Sequence, residues 1–299
     1  MKKNKQIKNI AGSTREKLRN ISVESGKEFQ SVLRQYIQER FLFRLSKSNY
    51  SSNLILKGAL LFVAHNISRN RPTKDIDFLG TSISNEKGVI TEIVREIISV
   101  DFIDGLSFDG ASIESEDIVE EGEYHGVRVK FFVFLEKARE RVQIDIGFGD
   151  QLTNGPIEIT FPTLLDFPAP QLKVYSLESA IAEKFEAIVS LQLQTSRMKD
   201  FYDILFLAMN HQFDIETLKN AVMTTFERRN TDINNCKLIF RDEFKNDKRL
   251  QEFWIAFINR SKLSADTSFE VVVTKIESFI APMITEKCKT WNPTTFIWE

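Results

Sequence analysis

The run Lys74-Asp75-Ile76-Asp77-Phe78-Leu79-Gly80 alternates charged and apolar residues with the period of a β-strand. Successive strand side chains point to opposite faces, so Asp75 and Asp77 share one face and Ile76 and Phe78 the other. Two neighbouring carboxylates repel one another, and neither belongs in an apolar core. A divalent cation resolves both problems, because Mg²⁺ is commonly held by one or two carboxylates together with substrate phosphates. The plainer reading of the same pattern is a half-exposed strand with an acidic outer face.

Outward from this strand, Arg141-Val142-Gln143-Ile144-Asp145-Ile146-Gly147 alternates as well, setting Asp145 opposite Val142, Ile144 and Ile146. Three carboxylates on neighbouring strands would suit two-metal phosphoryl transfer. One metal there lowers the pKa of the attacking hydroxyl and the other steadies the leaving pyrophosphate. Asp150 is expected to cap the loop that follows. Upstream, Asn53-Leu54-Ile55-Leu56 reads as a buried strand, followed by Lys57-Gly58 and an apolar helical stretch to about Asn66. Glycine allows close backbone approach and helix N-termini attract anions, so Lys57-Gly58 is a candidate triphosphate cradle. Arg69, Arg71 and Thr73 lie between cradle and acidic pair, where they would steady phosphate or shape the turn.

Further out, residues 13–48 carry helical periodicity, with Ser13 as a first cap and Ser22 with Ser25 starting a second helix. Phe29, Val32, Leu33, Tyr36, Ile37 and Phe41 form its apolar side, and Arg34, Arg40, Arg44 and Lys47 its polar side. Residues 85–100 form an amphipathic helix, residues 106–149 are β-rich, and 157–161 and 172–175 are further strand candidates. From Ser176 onward the pattern is helical, at 177–193, 199–210, 214–228, 248–259 and 268–285. A strand-rich block bracketed by helices predicts an α+β fold with a helical second half.

That second half holds one anomalous lysine. Leu177, Ile181, Lys184 and Ile188 follow i, i+4, i+7, i+11, which puts Lys184 inside an apolar stripe. A charge there needs a partner or a ligand. Asp200 and Asp203 share a face with Ile204 and Leu207, so a Lys184–Asp200 pair across two helices would make a cationic site for nucleotide phosphates. An Arg197–Asp200 pair at the helix start is the plainer alternative.

Composition narrows the function classes. Forty Lys+Arg against 42 Asp+Glu gives a formal charge of −2 over 299 residues, which excludes a broadly basic nucleic-acid coat but not a local basic cleft. Twenty-five Phe against 12 Gly and 7 Pro favours long helices around aromatic cores. Cys236 and Cys288 suggest no disulfide framework, and His65, His125 and His211 show no ligand spacing. With no run of 18 apolar residues and no secretion-type start, a soluble, cytoplasmic protein without membrane contact is expected.

Four separated motifs then coincide: Leu56-Lys57-Gly58-Ala59-Leu60-Leu61, Arg71-Pro72-Thr73-Lys74-Asp75-Ile76-Asp77-Phe78, Gln143-Ile144-Asp145-Ile146-Gly147-Phe148-Gly149-Asp150, and Ala182-Glu183-Lys184-Phe185-Glu186-Ala187. The last continues to Arg197-Met198-Lys199-Asp200-Phe201-Tyr202-Asp203-Ile204, and Tyr36–Leu45 resembles the helix that precedes the first. In this order they resemble the AbiEii/AbiGii-type nucleotidyltransferase toxin family. The resemblance implies a DNA-polymerase-β-like mixed sheet with flanking helices and a helical C-terminal domain. On this chain that means a helical segment 1–50 packing on a nucleotidyltransferase domain 51–175, with 176–299 completing the active site. It also implies a toxin paired with a separate antitoxin, some members of the family transferring nucleotides from NTP onto tRNA 3′ ends and so blocking translation.

Carried over residue by residue, the resemblance implies Mg²⁺ on Asp75 and Asp77, essential roles for Lys184 and Asp200, and a third carboxylate at Asp145. Lys57, Gly58, Arg71, Thr73 and Arg197 are the expected nucleotide contacts. Two departures stand out: Gly58-Ala59 replaces the superfamily's Gly-Ser, removing a hydroxyl, and the gap from Ala59 to Asp75 is longer than usual. If RNA is the acceptor, its recognition must be local. Arg34, Arg40, Arg44, Lys47, Arg69 and Arg71 are expected on one side, with Lys184, Arg197, Arg228 and Arg229 on the other. A protein or small-molecule acceptor, or a catalytically silent binding module of the same fold, are the alternatives.

Overall fold

A computed structural model describes residues 9–67, 73–120, 124–153, 155–261, 267–286 and 289–299. Contacts divide the chain into two units: Met1–Gly149 with Pro156–Val174, and Asp150–Gly155 with Tyr175–Glu299.

The first unit begins with α1 (Ile10–Ser25), whose Asn9 cap accepts the Gly12 N–H over 2.9 Å. Gly26, at φ +67°, ends it in the left-handed conformation that glycine adopts without strain. The break between the first two helices therefore falls at Gly26, not at Ser22; the Ser22 hydroxyl instead donates to the Lys27 carbonyl. There follow α2 (Phe29–Lys47), β1 (Leu54–Lys57), α3 (Leu60–Ala64), β2 (Asp75–Gly80) and α4 (Lys87–Ile98). Then come β3 (Leu106–Glu120), β4 (Tyr124–Leu135), β5 (Ala138–Phe148), β6 (Ile157–Thr160) and β7 (Gln171–Val174). Among the described residues these strands form a seven-stranded mixed sheet in the order β3-β4-β5-β2-β1-β7-β6. The β3-β4-β5 meander is antiparallel, β5 and β2 are parallel, β2 and β1 antiparallel, and β1 and β7 parallel.

One face of this sheet is apolar. Ile76, Phe78, Val127, Val129, Phe131, Ile144 and Ile146 are all buried. Phe41 of α2 packs its ring 6.3 Å from that of Phe78 and 6.1 Å from that of Phe131. The alternation read at residues 74–80 thus places Ile76 and Phe78 beneath a helix and leaves Asp75 and Asp77 on the opposite face.

α2 departs from expectation. It is buried on nearly all sides from Val32 to Leu45, and Arg40 and Arg44 lie inside the unit rather than on a polar surface. Arg44 Nη1 donates to Asp104 Oδ2 over 2.6 Å, and Arg40 Nε to the same oxygen over 3.3 Å. The Arg40 guanidinium also stacks over Phe43 at 4.3 Å, and that of Arg44 over Phe108 at 4.3 Å. Arg34 pairs with Glu140 over 2.6 Å. A buried charge must be paired, and Asp104, fully buried itself, supplies the pair from a loop. Arg40 and Arg44 are consequently removed from the set expected to meet RNA.

The second unit contains α5 (Leu177–Leu191), α6 (Met198–Asn210), β8 (Phe213–Asp214), α7 (Ile215–Arg228), α8 (Cys236–Ile239) and α9 (Asp242–Lys245). It closes with α10 (Lys248–Ser261), α11 (Phe269–Ile280), α12 (Pro282–Thr285), β9 (Thr290–Asn292) and β10 (Ile297–Trp298). α5 packs on α6 and α7, and α11 on α6. The antiparallel set β10-β9-β8 carries an aromatic cluster of Phe213, Phe279, Trp291, Phe296 and Trp298. Trp291 is fully buried and donates its indole N–H to the Ala208 carbonyl over 2.6 Å. No helix of the described residues is long and apolar enough to cross a membrane.

Candidate active site

Strand register assembles the polar face of the first unit's sheet. Lys57 on β1 pairs with Asp77 on β2, Asp77 with Asp145 on β5, Asp145 with Arg128 on β4, and Arg128 with Glu116 on β3. One row across five strands therefore reads cation, acid, acid, cation, acid. The row beside it runs Asp75, Gln143, Lys130 and Glu114. Neighbouring strands lie ~4.8 Å apart, so the expected adjacency of Asp75, Asp77 and Asp145 is present in the sheet. All three are partly exposed.

Gly58 makes the close approach at the end of β1. Its φ is +66°, and a Cβ there would fall 1.9 Å from Asp77 Oδ2, so no side chain fits between the backbone and that carboxylate. Lys57 reaches over the neighbouring strand, its ammonium 3.8 Å from where a Gly147 Cβ would stand, an ordinary contact distance. Gly58 thus brings the backbone close beside Asp77. The helix after it is short: α3 spans five residues, and the run to Asn66 closes in a turn. The Thr73 hydroxyl donates to the Asp75 carbonyl over 3.3 Å. Arg69 and Arg71 lie outside the described residues.

Asp145 is held by its neighbours on the sheet. Arg128 Nε and Nη2 donate to its two oxygens over 2.8 Å each, and Gln143 Nε2 donates to Oδ2 over 3.2 Å. Among the described residues no three of His, Cys, Asp and Glu form a group able to hold a metal. Asp75 and Asp77 thus form an acidic pair beside a third carboxylate, Asp145, that a guanidinium holds. A hard oxygen pair of this kind still fits Mg²⁺, which takes its remaining ligands from water and phosphate.

In the helical unit, α5 starts at Ser176, whose hydroxyl accepts the Ser179 N–H over 3.1 Å. Ile181, Phe185 and Ile188 are buried along its inner side. Lys184 Nζ lies 2.8 Å from Asp200 Oδ1 and 2.8 Å from Asp203 Oδ2, both on α6. The Lys184–Asp200 pair inferred from helical spacing is present, and so is the Arg197 pair, with Nε 2.7 Å from Asp200 Oδ2. Asp200 is only 1% exposed. Burial pushes its carboxyl upward, but Lys184 and Arg197 outweigh burial and hold it below the ordinary carboxylate range. Burial disfavours the Lys184 cation as well, yet Asp200 and then Asp203 keep it charged and raise its pKa.

A second network was not legible beforehand. Arg229, after α7, donates to Asp150 Oδ1 over 3.1 Å and to Glu186 Oε2 over 2.9 Å, and Thr231 donates to Glu186 over 2.6 Å. Asp150 is thus an ion-pair partner, and Arg229 is committed within its unit.

The family described as nucleotidyl transferase AbiEii toxin, type IV TA system, matches residues 40–275. The chain belongs to the AbiEii family. Solved structures agree on the fold of this AbiEii protein. JHP933 from Helicobacter pylori superposes with a TM-score of 0.52 at 13% identity, over 85% of this chain and 91% of that one. A second H. pylori structure, of a provisionally assigned nucleotidyltransferase, gives 0.50 at 13% identity, over 85% and 94%. An antigenic nucleotidyltransferase-like protein from Paracoccidioides brasiliensis is more distant, with a TM-score of 0.36 at 12% identity over 67% and 92%. No curated protein sequence matches the chain significantly. The AbiEii assignment makes the protein a nucleotidyltransferase of a toxin–antitoxin family, with a nucleotide substrate and an antitoxin partner.

Proposed function

We propose that this AbiEii protein transfers a nucleotide from an NTP to an RNA acceptor, the 3′ end of a tRNA, and that the transfer needs Mg²⁺ and blocks translation. One observation carries the metal-dependent part: Asp75 and Asp77 share the polar sheet face, with Lys57 in register beside Asp77 and Gly58 pressed against its carboxylate. Mg²⁺ on that pair would polarise the reacting phosphate and lower the pKa of the attacking hydroxyl. Lys57 would balance phosphate charge at the pair, and the Gly58 backbone would keep the space beside Asp77 narrow. Lys184 and Asp200 are proposed as essential on the strength of the family resemblance. Their mutual bond, buried and doubly acid-backed, is what keeps the lysine charged and in one orientation.

The tRNA acceptor rests on the same resemblance and is tested by where the label goes. The protein is incubated with Mg²⁺ and each of the four α-labelled NTPs in turn, against total RNA and against total cell protein. Label in the tRNA fraction is expected with one or more of the nucleotides. Label in protein with none in RNA would replace the RNA acceptor by a protein one.

A further inference from the structure

Neither strand periodicity nor family resemblance assigns a part to Arg128. Its side chain lies on the polar sheet face and grips both oxygens of Asp145, while Gln143 adds a third N–H to the same carboxylate. A parallel two-bond grip fixes the plane of the guanidinium, which a lysine ammonium would not do. The hydrogen bond to Asp145 and the charges of Asp145, Glu116 and Asp75 hold Arg128 firmly protonated. Its Nη1 lies 3.7 Å from Glu116, beyond hydrogen-bond range, so the outer edge of the guanidinium keeps donors for phosphate. On the far side of Asp145 stands Asp77, one strand away in register, with Lys57 beyond it. The two acids are bracketed by two cations.

A carboxylate so neutralised is a poor third metal ligand, because a divalent ion placed on it would sit against a guanidinium at ion-pair range. We propose that Asp145 is a positioning residue and not a metal ligand. It holds Arg128 across the sheet so that the guanidinium binds the polyphosphate of the substrate, in the place where a second carboxylate-held metal would otherwise neutralise it. The inference rests on the reading that Asp75 and Asp77 hold the metal.

The test uses the full-length protein with Mn²⁺, followed by electron paramagnetic resonance, and inorganic tripolyphosphate, followed by calorimetry in the presence of Mn²⁺. Asp145→Asn and Arg128→Ala should each keep Mn²⁺ affinity within about threefold and each weaken tripolyphosphate about tenfold or more, the scale of one lost charge-assisted hydrogen bond. The double variant should be no weaker than Arg128→Ala alone, because Asp145 acts through Arg128. Arg128→Lys, which keeps the charge without the fork and disturbs folding least, should recover less than half of the loss in binding free energy. Loss of Mn²⁺ in Asp145→Asn as severe as in Asp77→Asn would overturn the proposal, as would unchanged tripolyphosphate binding in folded Arg128→Ala. Retention of Mn²⁺ by Asp77→Asn would instead overturn the underlying reading of the acidic pair.

Discussion

At the scale of single residues, Gly58 carries the tightest constraint. A methyl group there meets the Asp77 carboxylate at 1.9 Å, and φ of +66° is unfavourable for any L side chain. Gly58→Ala should cost at least about 1 kcal/mol of stability. It should also suppress nucleotide transfer far more than that loss explains, because Asp77 must move. Chemical denaturation and transfer rate, measured on one preparation, would separate the two effects; equal activity in the variant would remove Gly58 from the site. Asp145 and Arg128 show the other residue-scale point, that chemical type does not settle role. The acid expected to bind metal is satisfied by a guanidinium that reads in isolation as an ordinary strand-surface charge.

At the scale of elements, α2 and the α5–α6 pair each join charge to burial, and each makes a pH prediction. Glu39 on α2 is buried, and burial raises its carboxyl from 4.5 to about 7 despite a hydrogen bond from the Leu164 N–H and the nearby Arg40. Its folded-state pKa exceeds its unfolded one, so the stability it contributes is complete below pH 4.5 and is lost as pH rises toward 7. Glu39→Gln, which keeps an acceptor for Leu164, should flatten that decline by at most about 3 kcal/mol in thermal or urea melts across the window. Asp200 runs the other way. Its carboxyl is depressed, so its contribution is present above the ordinary carboxylate range and lost as pH falls through the folded-state pKa. Asp200→Asn should destabilise by up to about 3 kcal/mol at neutral pH, with a gap from wild type that narrows in acid. A gap independent of pH would show that the Lys184–Asp200 pair is not the source. The same elements show what could be read in the sequence. The face of β2 and the Lys184–Asp200 pair follow from periods of 2 and 3.6 residues, which are local. The burial of Arg40 and Arg44 was hidden, because their partner Asp104 is 60 or more residues away and lies in a loop that carries no period. The pairing of Arg128 with Asp145 depends on strand register, which only the folded sheet supplies.

At the scale of the whole molecule, the near-neutral charge sets a boundary on RNA recognition that the structure tightens. Of the cations expected to meet RNA, Arg40 and Arg44 are buried, and Arg34 and Arg229 are committed to Glu140 and to Asp150 with Glu186. If RNA is the acceptor, its recognition uses fewer cations than the sequence suggested, and a salt dependence shallower than that of a broadly basic RNA-binding protein is expected. The α+β division and the strands that carry Asp75, Asp77 and Asp145 were legible from texture alone. The C-terminal strands were not, since β8, β9 and β10 are two or three residues long and are held by the aromatic cluster around Trp291 rather than by a pattern of their own. The most direct measurement is transfer of α-labelled nucleotide into total RNA by wild-type protein and by Asp77→Ala, compared with and without Mg²⁺ at matched folded concentration. The predicted result is Mg²⁺-dependent label in the tRNA band with wild type and none with Asp77→Ala; equal labelling by the two proteins, or labelling that persists without divalent metal, would contradict it.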